Sequence, residues 1–378
     1  MSRRPREVRA DPEDAVPEAD RLEGFPHPRE TLDLIGHGRA EEELLDAHRS
    51  GHLHHAWLLT GPEGVGKATL AYRIARFLLA GGSEDSLLPR RDLAVPPSLP
   101  AVRQIAAQAH PGLLVIRRSY DLQKKRIPVS ITVDEVRRLK DFLGLTADEG
   151  AFRVVIVDRA DEMNANAANA LLKSLEEPPP RAVFLLVAAE PGRLLRTIRS
   201  RTRRLDLAPL GADDLERTLA GLLSAAGDAA VGPGEIETLA VLSGGSVRKA
   251  LVLKCGQGLA LYGRLLKIVE ASRPGPEILR LAEGLGSADG ALDFLTILDL
   301  LEGLMGRLAR QAATGAGALA GERRLAVRLA DPDVLASWAS LWETVGRVRS
   351  DALMLQLDRR ALLVDLLTRL TGPGRKAA

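Results

Sequence analysis

Apolar residues are patterned in two ways along this chain: short unbroken runs alternating with helical stripes, then helical stripes alone. HAWLLTG (His55–Gly61) is a short apolar run leading into a glycine loop, and ATLAYRIARFLLA (Ala68–Ala80) follows with Leu70, Ile74, Phe77 and Leu78 at helical spacing. GLLVIRR (Gly112–Arg118) predicts a second strand. ITVDEVRRLKDFLG (Ile131–Gly144) predicts a helix with Val133, Val136, Leu139 and Leu143 on one face and Gly144 as its stop. RVVIVD (Arg153–Asp158) is a continuous β-branched run, as expected of a strand buried on both faces. After it, Ala168, Leu171, Leu172 and Leu175 repeat at i, i+3, i+4 and i+7 until Pro178, Pro179 and Pro180 end the helix. AVFLLVAA (Ala182–Ala189) and RRLDL (Arg203–Leu207) predict the last strands. Strands alternating with helices imply a parallel sheet covered on both faces. Beyond Pro209 the pattern is helical to the end, with a break at SRPGP (Ser272–Pro276) and a loop at ATGAGALAG (Ala313–Gly321); Gly81–Ala101 predicts an irregular insertion.

A chain of 378 residues exceeds one compact core, so more than one domain is expected. Its 46% hydrophobic and 27% charged residues suit a soluble globular protein. Aromatics at 3% argue against recognition of single-stranded nucleic acid by base stacking, and a net charge of +2 confines any basic surface to a local patch. Cys255 is the one cysteine, which excludes an internal disulfide and a cysteine-based zinc cluster; it is expected to be a buried structural thiol. No apolar run reaches the length of a membrane span. The N-terminal stretch MSRRPREVRADPEDAVPEAD carries charge and proline without an apolar centre; it predicts a disordered tail, not a secretory leader, and a cytoplasmic location.

The candidate chemistry centres on GPEGVGKAT (Gly61–Thr69). A phosphate-binding loop is a glycine, four residues, then Gly-Lys and a hydroxyl residue, between a strand and a helix. Gly61, Gly64 and Gly66 permit backbone N–H groups to surround an anion, and Lys67 can reach terminal phosphates. The hydroxyl that would bind magnesium is replaced by Ala68, and Thr69 cannot substitute because one residue along a helix turns a side chain by about 100°. Weak binding of ATP or ADP, with magnesium held by phosphates and water, remains compatible with this loop. Asp158 ends a predicted buried strand, where either a magnesium-associated carboxylate or a helix cap belongs. The next residue, where an active ATPase of this kind carries a water-positioning glutamate, is Arg159, which cannot act as a base. Two changes thus strike hydrolysis while the phosphate cradle is kept. A third candidate is GRLLRTIRSRTRRL, with Arg193, Arg196, Arg199, Arg201, Arg203 and Arg204. On charge alone it is open between a solvated face, a contact to nucleic-acid phosphates and an arginine acting on a neighbour's phosphate.

HHAWLLTGPEGVGKATLAYRIARFLL, ITVDEVRRL, VVIVDRADEMNANAANALLKSLEEPP and LLRTIRSRTRRL together resemble the delta-prime family of bacterial DNA polymerase III subunits, part of the AAA+ clamp loader; the likeness extends weakly through GGSVRKAL (Gly244–Leu251). The resemblance implies a disordered tail (1–24), an α/β AAA+ P-loop domain with a parallel sheet and helices on both faces (25–208), a small helical lid (209–272) and an all-α C-terminal collar for oligomerisation (273–378). The family's Ser-Arg-Cys motif matches Ser200, Arg201 and Thr202, which makes Arg201 an arginine finger acting in trans, and Arg248 falls at the lid arginine that senses nucleotide in active relatives. Implied partners are the gamma/tau ATPase subunits and the delta subunit, with the sliding beta clamp and primed DNA met through the complex, in a nucleoid-associated replisome and not at a membrane. Many relatives carry a four-cysteine zinc module, but Gly81–His110 has no cysteine, so no zinc is expected. The expected function is a scaffold without intrinsic ATPase activity that assists clamp loading. The rival is a gamma/tau-like motor that hydrolyses ATP itself, which Ala68 and Arg159 oppose. An independent DNA-binding module is opposed by the scarcity of aromatics and the near-zero net charge.

Overall fold

The computed structural model describes residues 17–81, 92–144, 151–228, 230–232, 234–271, 274–286, 290–327, 332–352 and 358–371. The chain divides into two units, Met1–Ala229 with Ser246–Arg248, and Ala230–Gly245 with Lys249–Ala378.

The first unit is built on five parallel strands in the order β2-β3-β4-β1-β5: β1 (Ala56–Thr60), β2 (Leu113–Ile116), β3 (Arg153–Val157), β4 (Ala182–Ala188) and β5 (Arg203–Asp206). Successive side chains of a strand point to opposite faces, and here both faces are roofed. Trp57, Leu59, Val154, Ile156, Leu185 and Val187 pack against α1 (Gly38–Arg49), α2 (Lys67–Leu79) and α3 (Pro100–Ala106). Leu58, Val155, Val157, Phe184 and Leu186 pack against α4 (Val133–Gly144), α5 (Ala165–Glu176) and α6 (Arg196–Arg199). This explains the unbroken apolar runs, since neither face leaves a position for polar residues. Helix α7 (Ala212–Ala226) completes the unit. The parallel sheet covered by helices on both faces is the α/β arrangement that the sequence predicts.

Helix α2 is buried beyond its predicted stripe, and Arg73 and Arg76 are buried with it. Arg73 pairs with Glu41 of α1 and donates to the Leu32 carbonyl, while Arg76 donates to the carbonyls of Arg29 (3.0 Å) and Thr31 (2.6 Å). Backbone oxygens of the segment before α1 thus satisfy charges that burial would otherwise penalise. Of the predicted tail, residues 1–16 lie outside the described residues. Glu18 and Asp20 are held in place by Arg29, Arg117 and His27.

The second unit is helical. It contains α8 (Glu235–Ser243), the greater part of α9 (Val247–Cys255), α10 (Gly258–Glu270), α11 (Pro276–Glu283), α12 (Gly290–Thr314), α13 (Arg323–Ala326), α14 (Pro332–Ala352) and α15 (Arg359–Thr371). Helix α12 packs against α10 and α14, and α11 against α15. Leu298, Leu301, Leu304 and Leu308 keep one stripe of α12 buried, at i, i+3, i+6 and i+10. Cys255 corrects an expectation: as the last residue of α9, beyond the buried positions Ala250, Leu251 and Leu253, it is exposed and not a core thiol. Among the described residues no helix is long and apolar enough to cross a membrane.

The loop after α12 is anchored by Glu322, which is fully buried. Its carboxylate accepts from Tyr262 Oη (2.6 Å), Arg307 Nε (3.0 Å) and Nη2 (2.7 Å), and the Leu319 N–H (2.9 Å). Glu322→Ala leaves a half-buried guanidinium and a buried phenol without their acceptor. Unfolding of the second unit by urea is therefore expected to begin about 3–5 kcal/mol earlier, with Glu322→Gln losing less; equal midpoints for all three proteins would refute this role.

Candidate functional site

The C-terminal edge of the sheet carries the candidate loop. Thr60 ends β1, Gly61 to Gly66 turn the chain, and Lys67 begins α2. Gly61 (φ 143°), Gly64 (φ 76°) and Gly66 (φ 111°) all take backbone conformations that L side chains disfavour. A Cβ at Gly61 would meet the Leu207 carbonyl oxygen at 2.3 Å, and one at Gly64 would meet Ser246 Oγ at 2.4 Å. Glycine is required here by close approach as well as by φ. His37, buried ahead of α1, has Nε2 2.7 Å from the Val65 carbonyl and pins the loop from behind.

Lys67 is buried, and its ammonium donates to the Gly61 (2.7 Å) and Pro62 (2.6 Å) carbonyls of its own loop. Burial lowers its pKa to about 8 against the opposing pull of Glu63, Asp161 and Asp158. Ala68 and Thr69 are half-buried in the first turn of α2. Asp158, directly after β3, is buried. Burial pushes its carboxyl up to about 6; Asp20 adds to the rise, and Arg159 and Arg117 oppose it. The turn that follows has Arg159 as its N-cap residue, so the cap reading of Asp158 is not realised.

Arg159 has φ 56° and points its guanidinium back at the loop, 3.0 Å from Glu63 and 2.9 Å from Glu162. Glu162 is also 2.7 Å from Arg118. Asp161, the other acidic residue of this turn, accepts the Ala189 and Glu190 N–H groups and so joins β3 to the end of β4. Glu162 is thus engaged by two guanidiniums, whereas Asp161 uses only Oδ2 in these bonds and its Oδ1 is buried without a hydrogen-bond partner among the described residues. Arg248 comes to the same place from the start of α9. The Val247 and Arg248 N–H groups donate to the Gly64 carbonyl, and the Arg248 guanidinium lies 3.9 Å from Glu63 and donates to the Asp20 carbonyl (3.4 Å). The fold therefore brings Gly61, Gly64, Gly66, Lys67, Asp158 and Arg248 together at this edge of the sheet. The residues do not fit a magnesium nucleotide poised for hydrolysis: the hydroxyl ligand is Ala68, Lys67 is turned onto carbonyls, and Arg159 stands where a base is needed.

Arg201 is elsewhere, just beyond α6. Its guanidinium is 2.9 Å from Glu176 of α5 and donates to the Thr197 carbonyl (3.1 Å), with 36% of the side chain exposed. Ser200 and Thr202 hydroxyls donate to the Thr197 and Arg199 carbonyls, so the motif caps its own short helix. The neighbouring arginines divide. Arg203 lies over the Trp57 ring (4.9 Å) and pairs with Glu43, Arg204 pairs with Asp206, and Arg196 and Arg199 are exposed.

Sequence reasoning missed an acidic strap. Glu18 pairs with Arg29 (2.8 Å) and Arg117, and Asp20 pairs with Arg117 (2.7 Å) and His27 (2.9 Å). Burial opposes ionisation of Glu18, but bonds from Arg29 and Arg117 outweigh it and hold the carboxyl down to about 2. These partners are 90 or more residues apart for Arg117, and no local periodicity signals them.

Residues 36–211 match the family described as DNA polymerase III, delta subunit. DNA polymerase III subunit delta' of Pseudomonas aeruginosa is 38% identical over 208 residues, covering 54% of this chain and 57% of that protein. The delta' subunit of Escherichia coli K12 is 34% identical over 168 residues, 44% of this chain and 46% of that protein. The gamma subunit of Buchnera aphidicola is 29% identical over 229 residues, 60% and 58%. The chain thus spans about half the length of the curated relatives it matches. Among solved structures, a gamma-subunit-related protein of Thermotoga maritima aligns over 88% of this chain and 100% of its own at 18% identity and a TM-score of 0.39.

Because burial favours the protonated form of Asp158, its contribution to stability is greatest below the ordinary carboxylate value and is lost as pH rises through about 6. Moving a carboxyl from 3.8 to about 6 corresponds to about 3 kcal/mol by neutral pH. Asp158→Asn is expected to be more stable than the parent at pH 7 by up to that amount and to lose the decline between pH 4 and 6. Parallel stability curves for the two proteins across that range would contradict it.

Proposed function

We propose, from the match of residues 36–211 to the family described as DNA polymerase III, delta subunit, and the likeness to curated delta' subunits, that this chain acts as a delta-prime clamp-loader subunit that does not hydrolyse ATP itself. In this reading it joins gamma/tau ATPase subunits and a delta subunit in the complex that opens the sliding beta clamp and places it on primed DNA. Its location is the replisome. The collar helices of the second unit hold the assembly together.

The observation that carries the reading is the contrast between two sites. At the loop, cations are bonded to the chain's own oxygens, the magnesium hydroxyl is absent at Ala68, and Arg159 replaces a base. At Arg201, a guanidinium is presented at the surface, oriented by Glu176 and the end of α6. A fixed, partly exposed arginine supplies what a neighbour's transferring phosphate needs, a charge in place as negative charge redistributes. Glu176 holds the arginine until a partner's phosphate competes for it. ATP or ADP at Lys67 is, in this reading, weakly held and without a catalytic task, and zinc has no role.

In the reconstituted loader, Arg201→Ala is expected to lower DNA- and clamp-stimulated ATP hydrolysis by about tenfold or more with the complex still assembled, as judged by gel filtration. Unchanged turnover would remove the arginine-finger role. The purified chain alone is expected to release no phosphate above the level of a Lys67→Ala control. Steady release lost in that control would instead favour a gamma/tau-like motor.

A further inference from the structure

The loop carries a carboxylate of its own. Glu63 lies in the outer turn, half-exposed, with one oxygen 3.0 Å from Arg159 and the other 3.9 Å from Arg248. The two guanidiniums arrive from different elements, one after β3 and one at the start of α9. Arg159 adopts a left-handed backbone (φ 56°) to reach this position, a conformation that non-glycine residues disfavour. It is also fixed by Glu162, which is held in turn by Arg118. Arg248 is fixed by main-chain bonds from Val247 and Arg248 to Gly64 and by the Asp20 carbonyl. Lys67 is bonded to Gly61 and Pro62. Among the described residues, Lys67, Arg159 and Arg248 at the loop are thus matched to oxygens of the same chain, and Glu63 is the anion shared by the two arginines.

We propose that Glu63 is a built-in substitute for the terminal charge of a polyphosphate, and that it sets the loop against nucleotide polyphosphates by occupying Arg159 and Arg248. The inference rests on reading the loop as a cradle that does not hydrolyse. A polyphosphate entering this cradle has to draw Lys67 off two carbonyls and both arginines off Glu63. It then faces a carboxylate left beside its own oxygens. Removing the Glu63 charge relieves both penalties together, because it frees the arginines and abolishes the like-charge contact. Glutamine keeps the shape and a hydrogen-bonding carbonyl, and aspartate keeps the charge, so the two substitutions separate electrostatics from packing.

The full-length chain, its Glu63→Gln and Glu63→Asp variants, and the Glu63→Gln/Lys67→Ala double variant are titrated calorimetrically with inorganic tripolyphosphate. Titrations are run at low salt, with and without magnesium. Glu63→Gln is expected to bind about tenfold more tightly than the parent, Glu63→Asp to resemble the parent, and the double variant to lose the gain. The difference should shrink as salt is raised. Circular dichroism melts establish that each variant is folded. Equal affinity of Glu63→Gln and parent overturns the proposal, as does a gain that survives Lys67→Ala, since binding would then lie elsewhere. These outcomes are independent of phosphate release by the lone chain and of Arg201→Ala in the loader, so the failure of this inference is distinguishable from failure of the functional reading.

Discussion

An ammonium taken out of water must be given oxygens in return, and Lys67 is the point where this chain meets that demand at the edge of its sheet. The Gly61 and Pro62 carbonyls take the place of solvent. For them to do so the loop must curl back over the lysine, which requires the left-handed glycines, and the glycines in turn admit Ser246 and Arg248 to close contact. The same demand recurs around the site. Arg73 and Arg76 find carbonyls ahead of α1, Arg117 finds Glu18 and Asp20, and Arg159 finds Glu63 and Glu162. The loop is consequently a closed electrostatic circuit more than an open anion receptor.

The elements of the sheet were legible because their chemistry is local. RVVIVD and AVFLLVAA have no polar position in alternation, and the structure packs odd and even residues against different helices. The stripe of α2, its glycine loop and the proline stop after α5 were equally plain. Helix α1 was not read, nor was the burial of Arg73 and Arg76, which depends on backbone carbonyls that no side-chain pattern announces. The pairing of Glu18 and Asp20 with Arg117 was invisible for the same reason, as ion pairs between distant segments leave no period. Spacing alone marks Arg159 as the loss of a base; its bond to Glu63 gives the residue a positive role that one-dimensional spacing cannot supply. Cys255 shows the converse, a residue type usually buried that falls at the exposed end of a helix.

The arginine-rich stretch after β4 illustrates how one run of charge separates into different physical tasks. Arg203 uses its flat cation on the face of Trp57, Arg204 closes a pair with Asp206 at the strand end, and Arg201 ties α6 to α5. Charge density alone does not distinguish these; direction does. Because β5 alternates its side chains and three residues separate it from the end of α6, neighbouring arginines are sent to different surroundings.

The strap formed by Glu18 and Asp20 bears on how the chain comes to be folded during synthesis. Asp20 leaves the ribosome early, yet its carboxylate partner Arg117 is 97 residues behind and the guanidinium that meets its carbonyl, Arg248, is 228 residues behind. At about 10 residues per second, more than about 20 seconds separate the first of these groups from the last. Glu18 and Asp20 can meet Arg29 and His27 soon after they are made, so the strap is tied locally first and completed only once Arg117 and then Arg248 have been translated.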